Sequence, residues 1–415
     1  MLKKRLIVST AFAAGVTVMV VPVLAQVANE EEVFRQRFRI EQEFGVGDNL
    51  GLQNPSEGRT TLATTRLSYG LESKNRNHEL SFALGGALRF GNIASGNNIQ
   101  TGFTDPFMGL RYFRDTGNAT LSVNADYRQS DISLAAPLWT FLDQDGLVRP
   151  PRDFSNIRGS GERRAYSVNV ELETGKLAPF GLRILAGTRG TNYINQTDAD
   201  LVDFDTKDLG LAALFRLDAL TTASIDLAFT NYTQKNAADT SRDTISLQAG
   251  FDRELSAISQ LSFRFGYTDV DTTETNPLTG LRFKTKRSGP SGNFLYSRDL
   301  PNGTAAASFD LTQNQTGQRG TLRFTRSLEL PTGGLTASIG LTSFDSTDPR
   351  VIGSIDWYRE FAASRISRSL DRDVFVDSND EDRFTNLLIA SYQYEITSVS
   401  RLSADLSLTH SEAAP

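Results

Sequence analysis

Phe34-Arg35-Gln36-Arg37-Phe38-Arg39-Ile40-Glu41-Gln42-Glu43-Phe44-Gly45-Val46 alternates. Phe34, Phe38, Ile40, Phe44 and Val46 take the even positions, with Gln36 and Gln42 between them, while Arg35, Arg37, Arg39, Glu41 and Glu43 take the odd ones. Side chains of a β-strand point to opposite faces with a period of two, so the stretch is a strand with one mostly apolar face and one charged face. The pattern returns at Leu80, Phe82, Leu84, Leu88 and Phe90, at Tyr166, Val168, Val170 and Leu172, and at Leu261, Phe263, Phe265 and Tyr267. Later copies are Leu335, Ile339 and Leu341, and Leu402, Leu406 and Leu408.

After Ala25 no apolar run reaches the length of a membrane helix. Amphipathic segments of roughly 10 residues, repeated along a chain, are the signature of a transmembrane barrel. In lipid every backbone N–H and C=O needs an internal partner, so spanning strands must close on one another. The reading is an all-β fold: a transmembrane antiparallel up-and-down β-barrel of about 18–20 strands over 26–415. A sandwich has too few strands for this length, and a propeller or β-helix would show a stricter repeat.

Residues 1–25 read as a cleaved export signal. Lys3, Lys4 and Arg5 form a basic start, Leu6 to Val21 is apolar, Pro22 breaks the run, and Val23-Leu24-Ala25 supplies the small residues of a cleavage site.

A loose motif recurs where strands end: an aromatic residue, a charge, and a short turn. Examples are Phe251-Asp252-Arg253-Glu254, Tyr296-Ser297-Arg298-Asp299, Phe324-Thr325-Arg326-Ser327, Tyr358-Arg359-Glu360-Phe361 and Tyr112-Phe113-Arg114-Asp115. Looser copies are Phe215-Arg216-Leu217-Asp218 and Tyr392-Gln393-Tyr394-Glu395, and weaker candidates near Glu72 and Gly175 bring the short turns to nine. An aromatic at a strand end suits the membrane interface, with the charges beyond it in water. Longer polar connections alternate with these turns, near 47–58, 91–102, 129–161, 190–206, 233–242, 268–290, 313–318, 345–350 and 371–383. Short turns alternating with long loops is the asymmetry of an outer-membrane barrel. Nine of each would join 19 strands, whereas bacterial single-chain barrels have even numbers. The expectation is that one or three further strands follow Pro415; a miscounted turn within 361–383, giving 18 strands, is the alternative.

On these residues the chain resembles Gram-negative outer-membrane β-barrels of the porin-like kind. The Arg-Asp/Glu-Leu/Phe turns are also similar to those of barrels associated with exopolysaccharide export. The resemblance implies outer-membrane lipid, lipopolysaccharide and the barrel assembly machinery as partners. It covers architecture and carries no subfamily.

Enzymatic chemistry finds little footing. The chain has no Cys and only two His, so thiolate and imidazole sites are scarce. The reading is of a non-enzyme, with no catalytic residue, metal site or cofactor. A net charge of −6 gives no basic excess for nucleic acid.

The charged face is the informative one. If the Leu and Phe positions meet lipid, pore-lining candidates are Arg35, Arg37, Arg39, Glu41, Glu43, Arg89, Arg111, Asp126, Arg128, Glu171, Glu173, Arg264, Asp310, Arg323 and Asp405. Their mixed signs imply weak ion selectivity; the same residues could instead form salt bridges that only stiffen the wall. The longest loop, 129–161, carries Trp139 and Phe141 beside Asp143 and Asp145, and an apolar cluster in a water-exposed loop needs something to pack on. Folded inward, these four residues would constrict the pore. The leading expectation is a passive channel for small polar solutes. The alternatives are a conduit for polysaccharide export and a structural or adhesive barrel with a plugged lumen. A barrel that starts near residue 34 leaves no room for a plug domain of the siderophore-receptor kind.

Overall fold

The computed structural model describes residues 32–48, 58–94, 99–132, 161–196, 201–235, 237–345, 348–376, 382–397 and 400–413. The export-signal reading of residues 1–25 lies outside them. The described residues form nineteen strands. The first ten are β1 (Glu32–Asp48), β2 (Arg59–Asn75), β3 (His78–Asn92), β4 (Gly102–Asp115), β5 (Ala119–Asp131), β6 (Glu162–Thr174), β7 (Phe180–Ile194), β8 (Phe204–Arg216), β9 (Thr221–Gln234) and β10 (Thr240–Ser256). The others are β11 (Ser259–Thr275), β12 (Arg282–Leu300), β13 (Gly303–Gln313), β14 (Gln318–Leu330), β15 (Gly333–Phe344), β16 (Arg350–Glu360), β17 (Ser364–Val376), β18 (Asp382–Thr397) and β19 (Ser400–Ala413).

Every ladder is antiparallel and joins strands adjacent in the chain, from β1–β2 through β18–β19. This is an up-and-down barrel wall. The turn expected within 361–383 is Phe361-Ala362-Ala363, between β16 and β17, so the count there stands at two strands. The odd-numbered strands all run from the short-turn end toward the long loops.

Burial is inverted relative to a water-soluble protein. The large apolar side chains are exposed: Phe44, Phe90, Leu247, Phe265, Ile339 and Ile355 are each about half or more accessible on the outer face. Thr and Ser dominate the buried positions, including Thr60, Thr104, Thr191, Thr268 and Ser291. Lipid rather than a protein core must therefore cover the apolar face, and that transfer is worth about 25 cal/mol per Å² removed from water.

Two expected loops are shorter than their polar sequences suggest. Within 268–290, β11 continues to Thr275 and β12 begins at Arg282, and within 371–383, β17 continues to Val376. The polar end of the β11–β12 hairpin carries cross-strand pairs, Lys286–Asp269 at 3.0 Å and Lys284–Asp271 at 3.2 Å.

Candidate functional site: the charged inner face

Register assigns every residue to a face, because directly opposed residues of an antiparallel pair point to the same side. Phe34, Phe38 and Phe44 stand opposite Ser73, Tyr69 and Ala63, and the outer parity passes from strand to strand to Leu402 and Leu406 on β19. Between the ends of β1 and β2 the charged residues occupy the other parity. On β1 and β2 they interlock: Arg37 reaches Glu72 at 3.6 Å, Arg66 bonds Glu43, and Arg39 bonds Glu41.

Further round the wall Glu173 accepts from Arg183 at 2.9 Å and lies 3.5 Å from Arg216, with Glu171 3.6 Å from Arg183. Arg264 donates to Asp252 and to Ser262, both at 2.9 Å, and reaches Asp226 at 3.8 Å, two strands away. The strand between presents Gly250, whose absent Cβ would lie 2.5 Å from Arg264 Cγ. Arg323 on β14 meets Asp373 on β17 at 3.4 Å. These side chains remain partly exposed, so each pair contributes at most about 1 kcal/mol. They nonetheless fix where the guanidinium groups lie.

Arg89 differs. Its side chain is 4% exposed and bonds Asp131, 1% exposed, at 3.1 Å. It also meets Asp105 and the carbonyl of Gln100. Asp105 has φ 51° and precedes Pro106 at a bulge in the β3–β4 ladder. Proline lacks the N–H that a ladder needs, so the bulge turns Asp105 toward Arg89. Arg89 is thus a buried anchor for the segment around Gln100. Close by in the chain, Ile132 packs with Tyr193 and Leu201 at the base of the longest loop. Trp139, Phe141, Asp143 and Asp145 lie outside the described residues, as does most of that loop.

Arg35, Arg111, Asp126 and Arg128 lie on the inner parity, are exposed, and make no ion pair among the described residues. Asp310 is opposite Thr321 on the same face. Asp405 is opposite Ser391 in the β18–β19 register. The sequence reading missed Asp105, Asp131, Asp226, Asp252 and Asp373. Asp226, Asp252 and Asp373 could have been found by extending the parity count; Asp131 shares the parity of Tyr127 and not that of Asp126, and Asp105 needed the mid-strand Asp105-Pro106 step to be read as a bulge.

The short-turn end has its own order. Backbone N–H groups at the ends of seven even-numbered strands donate to a carbonyl of the preceding turn: Asp115 to Asn77, Arg216 to Pro179, Glu254 to Leu220, Asp299 to Ile258, Glu329 to Asn302, Glu360 to Thr332 and Glu395 to Ala363. These positions are equivalent, all have inner parity, and six of the seven are acidic. Carboxylates therefore ring this mouth. Asp115 is held below the usual carboxylate range by the hydrogen bond from Lys176, with the N–H of Gly117 assisting. Asp218, in the β8–β9 turn, is lowered first by the N–H of Leu220.

No protein-family model and no curated protein matches the chain. Among solved structures it is similar to the ferric-catecholate import receptor Fiu from E. coli K12. The two share 10% identity and a TM-score of 0.51, covering 91% of this chain and 70% of that one. The fold is that of the Gram-negative outer-membrane β-barrels. A second match, the copper transporter OprC, has 10% identity and a TM-score of 0.46, covering 91% and 74% of the two chains. At this identity the likeness carries the architecture of the wall and nothing of its cargo.

Proposed function

We propose that the chain is an outer-membrane channel through whose lumen small polar solutes pass passively. The observation that carries this reading is the state of the inner-face charges. Arg35, Arg111, Asp126 and Arg128 are exposed and unpaired among the described residues, and ionised groups of this kind require water beside them. Around them the paired charges alternate in sign, which lets a polar solute exchange hydration for wall contacts without one ion type being excluded. The short turns would face the periplasm and the long loops the exterior.

Planar-bilayer recording of the purified barrel tests the reading. It predicts stable ohmic conductance with a reversal potential close to zero in a salt gradient. A barrel that inserts, shows heat-modifiable gel mobility and yet conducts nothing would remove the open-channel proposal.

A further inference from the structure

The strand-end motif carries two charges, and the register sends them to opposite faces. In Tyr112-Phe113-Arg114-Asp115, Tyr112 and Arg114 share the outer parity of Met108, while Asp115 has the inner parity. The same sorting holds for Phe251, Arg253 and Glu254, for Tyr296, Arg298 and Asp299, and for Trp357, Arg359 and Glu360. Phe324 and Arg326 follow it too. Arg368, directly opposite Trp357, adds a further outward guanidinium 5.9 Å from that ring.

We infer that these outward arginines form a belt that binds the phosphate groups of anionic phospholipids in the leaflet at the short-turn end. Three observations carry it. First, the belt has one sign: on β2 to β19 no outer-parity strand residue within four positions of a short turn is acidic. Second, it is available. Arg114, Arg298, Arg359 and Arg368 are exposed and make no ion pair among the described residues; Arg359 and Arg368 only stack on Phe361 and Trp357. Arg253 is exposed and feels the charge of Asp218, whereas Arg326 is turned back to Asn302 Oδ1 at 2.6 Å. Third, the spacing suits a headgroup. Arg114, Arg253, Arg298, Arg326 and Arg359 each follow an aromatic by two residues, about 7 Å along a strand, so a ring at the interface places the guanidinium at phosphate depth, and Arg368 lies level with Trp357 and reaches the same zone by its long side chain. Guanidinium binds phosphate through two parallel hydrogen bonds. The arginines are spread from β4 to β17, around the wall rather than on one patch. An annulus of lipid reaches such a distribution; a single protein face does not.

The inference rests on the reading that the chain spans a membrane, and the test keeps the two apart. The full chain is folded into vesicles and its co-purifying lipid quantified by native mass spectrometry, with phosphatidylglycerol competing against phosphatidylcholine. Basic residues at an anionic surface each contribute about fivefold. The variant R114Q/R298Q/R359Q/R368Q should therefore lose phosphatidylglycerol preference by at least about tenfold, and the corresponding four-lysine variant should recover part of it. The luminal variant R35Q/R111Q/R128Q, which also removes cations, should keep the preference. Conductance and heat-modifiable mobility report folding in every variant. An inserted, conducting wild type without phosphatidylglycerol preference overturns the belt alone, as does an equal loss in the luminal variant. A wild type that never inserts overturns the channel and the belt together.

Discussion

Gly250 decides how Arg264 lies. With no side chain on the intervening strand, the guanidinium crosses β10 between Asp252 and Asp226. A methyl group there would meet Phe263 O at 2.4 Å and Arg264 Cγ at 2.5 Å. Gly250→Ala is expected to cost about 1–3 kcal/mol in denaturant unfolding from vesicles, the range for overpacking. Arg264→Gln keeps the packing but leaves both carboxylates without their cation, so the reversal potential should move toward cation preference with little loss of stability. At the turns, Asp218 has a folded pKa below its ordinary value of 3.8, so its contribution is complete above that value and disappears as pH falls through the folded one. Protection of the Leu220 amide, taken relative to its intrinsic exchange rate, should fall as the pH drops through the lowered folded pKa of Asp218, and Asp218→Asn should abolish that pH dependence. That Arg264 takes the parity opposite to Phe263 and Phe265 was legible from alternation. Its partners were not, since Asp226 lies two strands away and only the register and one glycine bring it within reach.

At the level of the strand, lipid-facing positions differ sharply from lumen-facing ones. Leu247 lies near the middle of β10 on the outer face, with Tyr267 and Leu227 opposite. Leu247→Arg should destabilise the barrel by about 2–4 kcal/mol in vesicle unfolding, whereas Ser246→Arg, one residue away on the inner face, should cost far less. Equal penalties would mean that the faces were misassigned. Strand number and hairpin order were readable because alternation and turn chemistry agreed along the chain. The ends of β11, β12 and β17 were not, because beyond the apolar band both faces become polar. There the ladder is supported by cross-strand partners such as Lys286–Asp269, which a hydropathy pattern does not register.

For the molecule as a whole, the ring at the short-turn mouth should set a mild charge preference. Glu254, Asp299 and Glu329 are exposed and have no cationic partner among the described residues. The triple variant E254Q/D299N/E329Q should shift the reversal potential toward anions. The shift should shrink as salt rises from 0.1 to 1 M, since the screening length falls from about 10 to about 3 Å. An unchanged potential at low salt would mean that these groups stand too far from the ion path to matter. Among the described residues the ladders join strands adjacent in the chain, and β4, β10, β12, β14 and β16 each bring one arginine for the lipid side and one carboxylate for the mouth. Gene duplication of such a unit would widen the pore and enlarge both charge sets in the same step, so that girth and electrostatics could evolve together without rewiring any other contact.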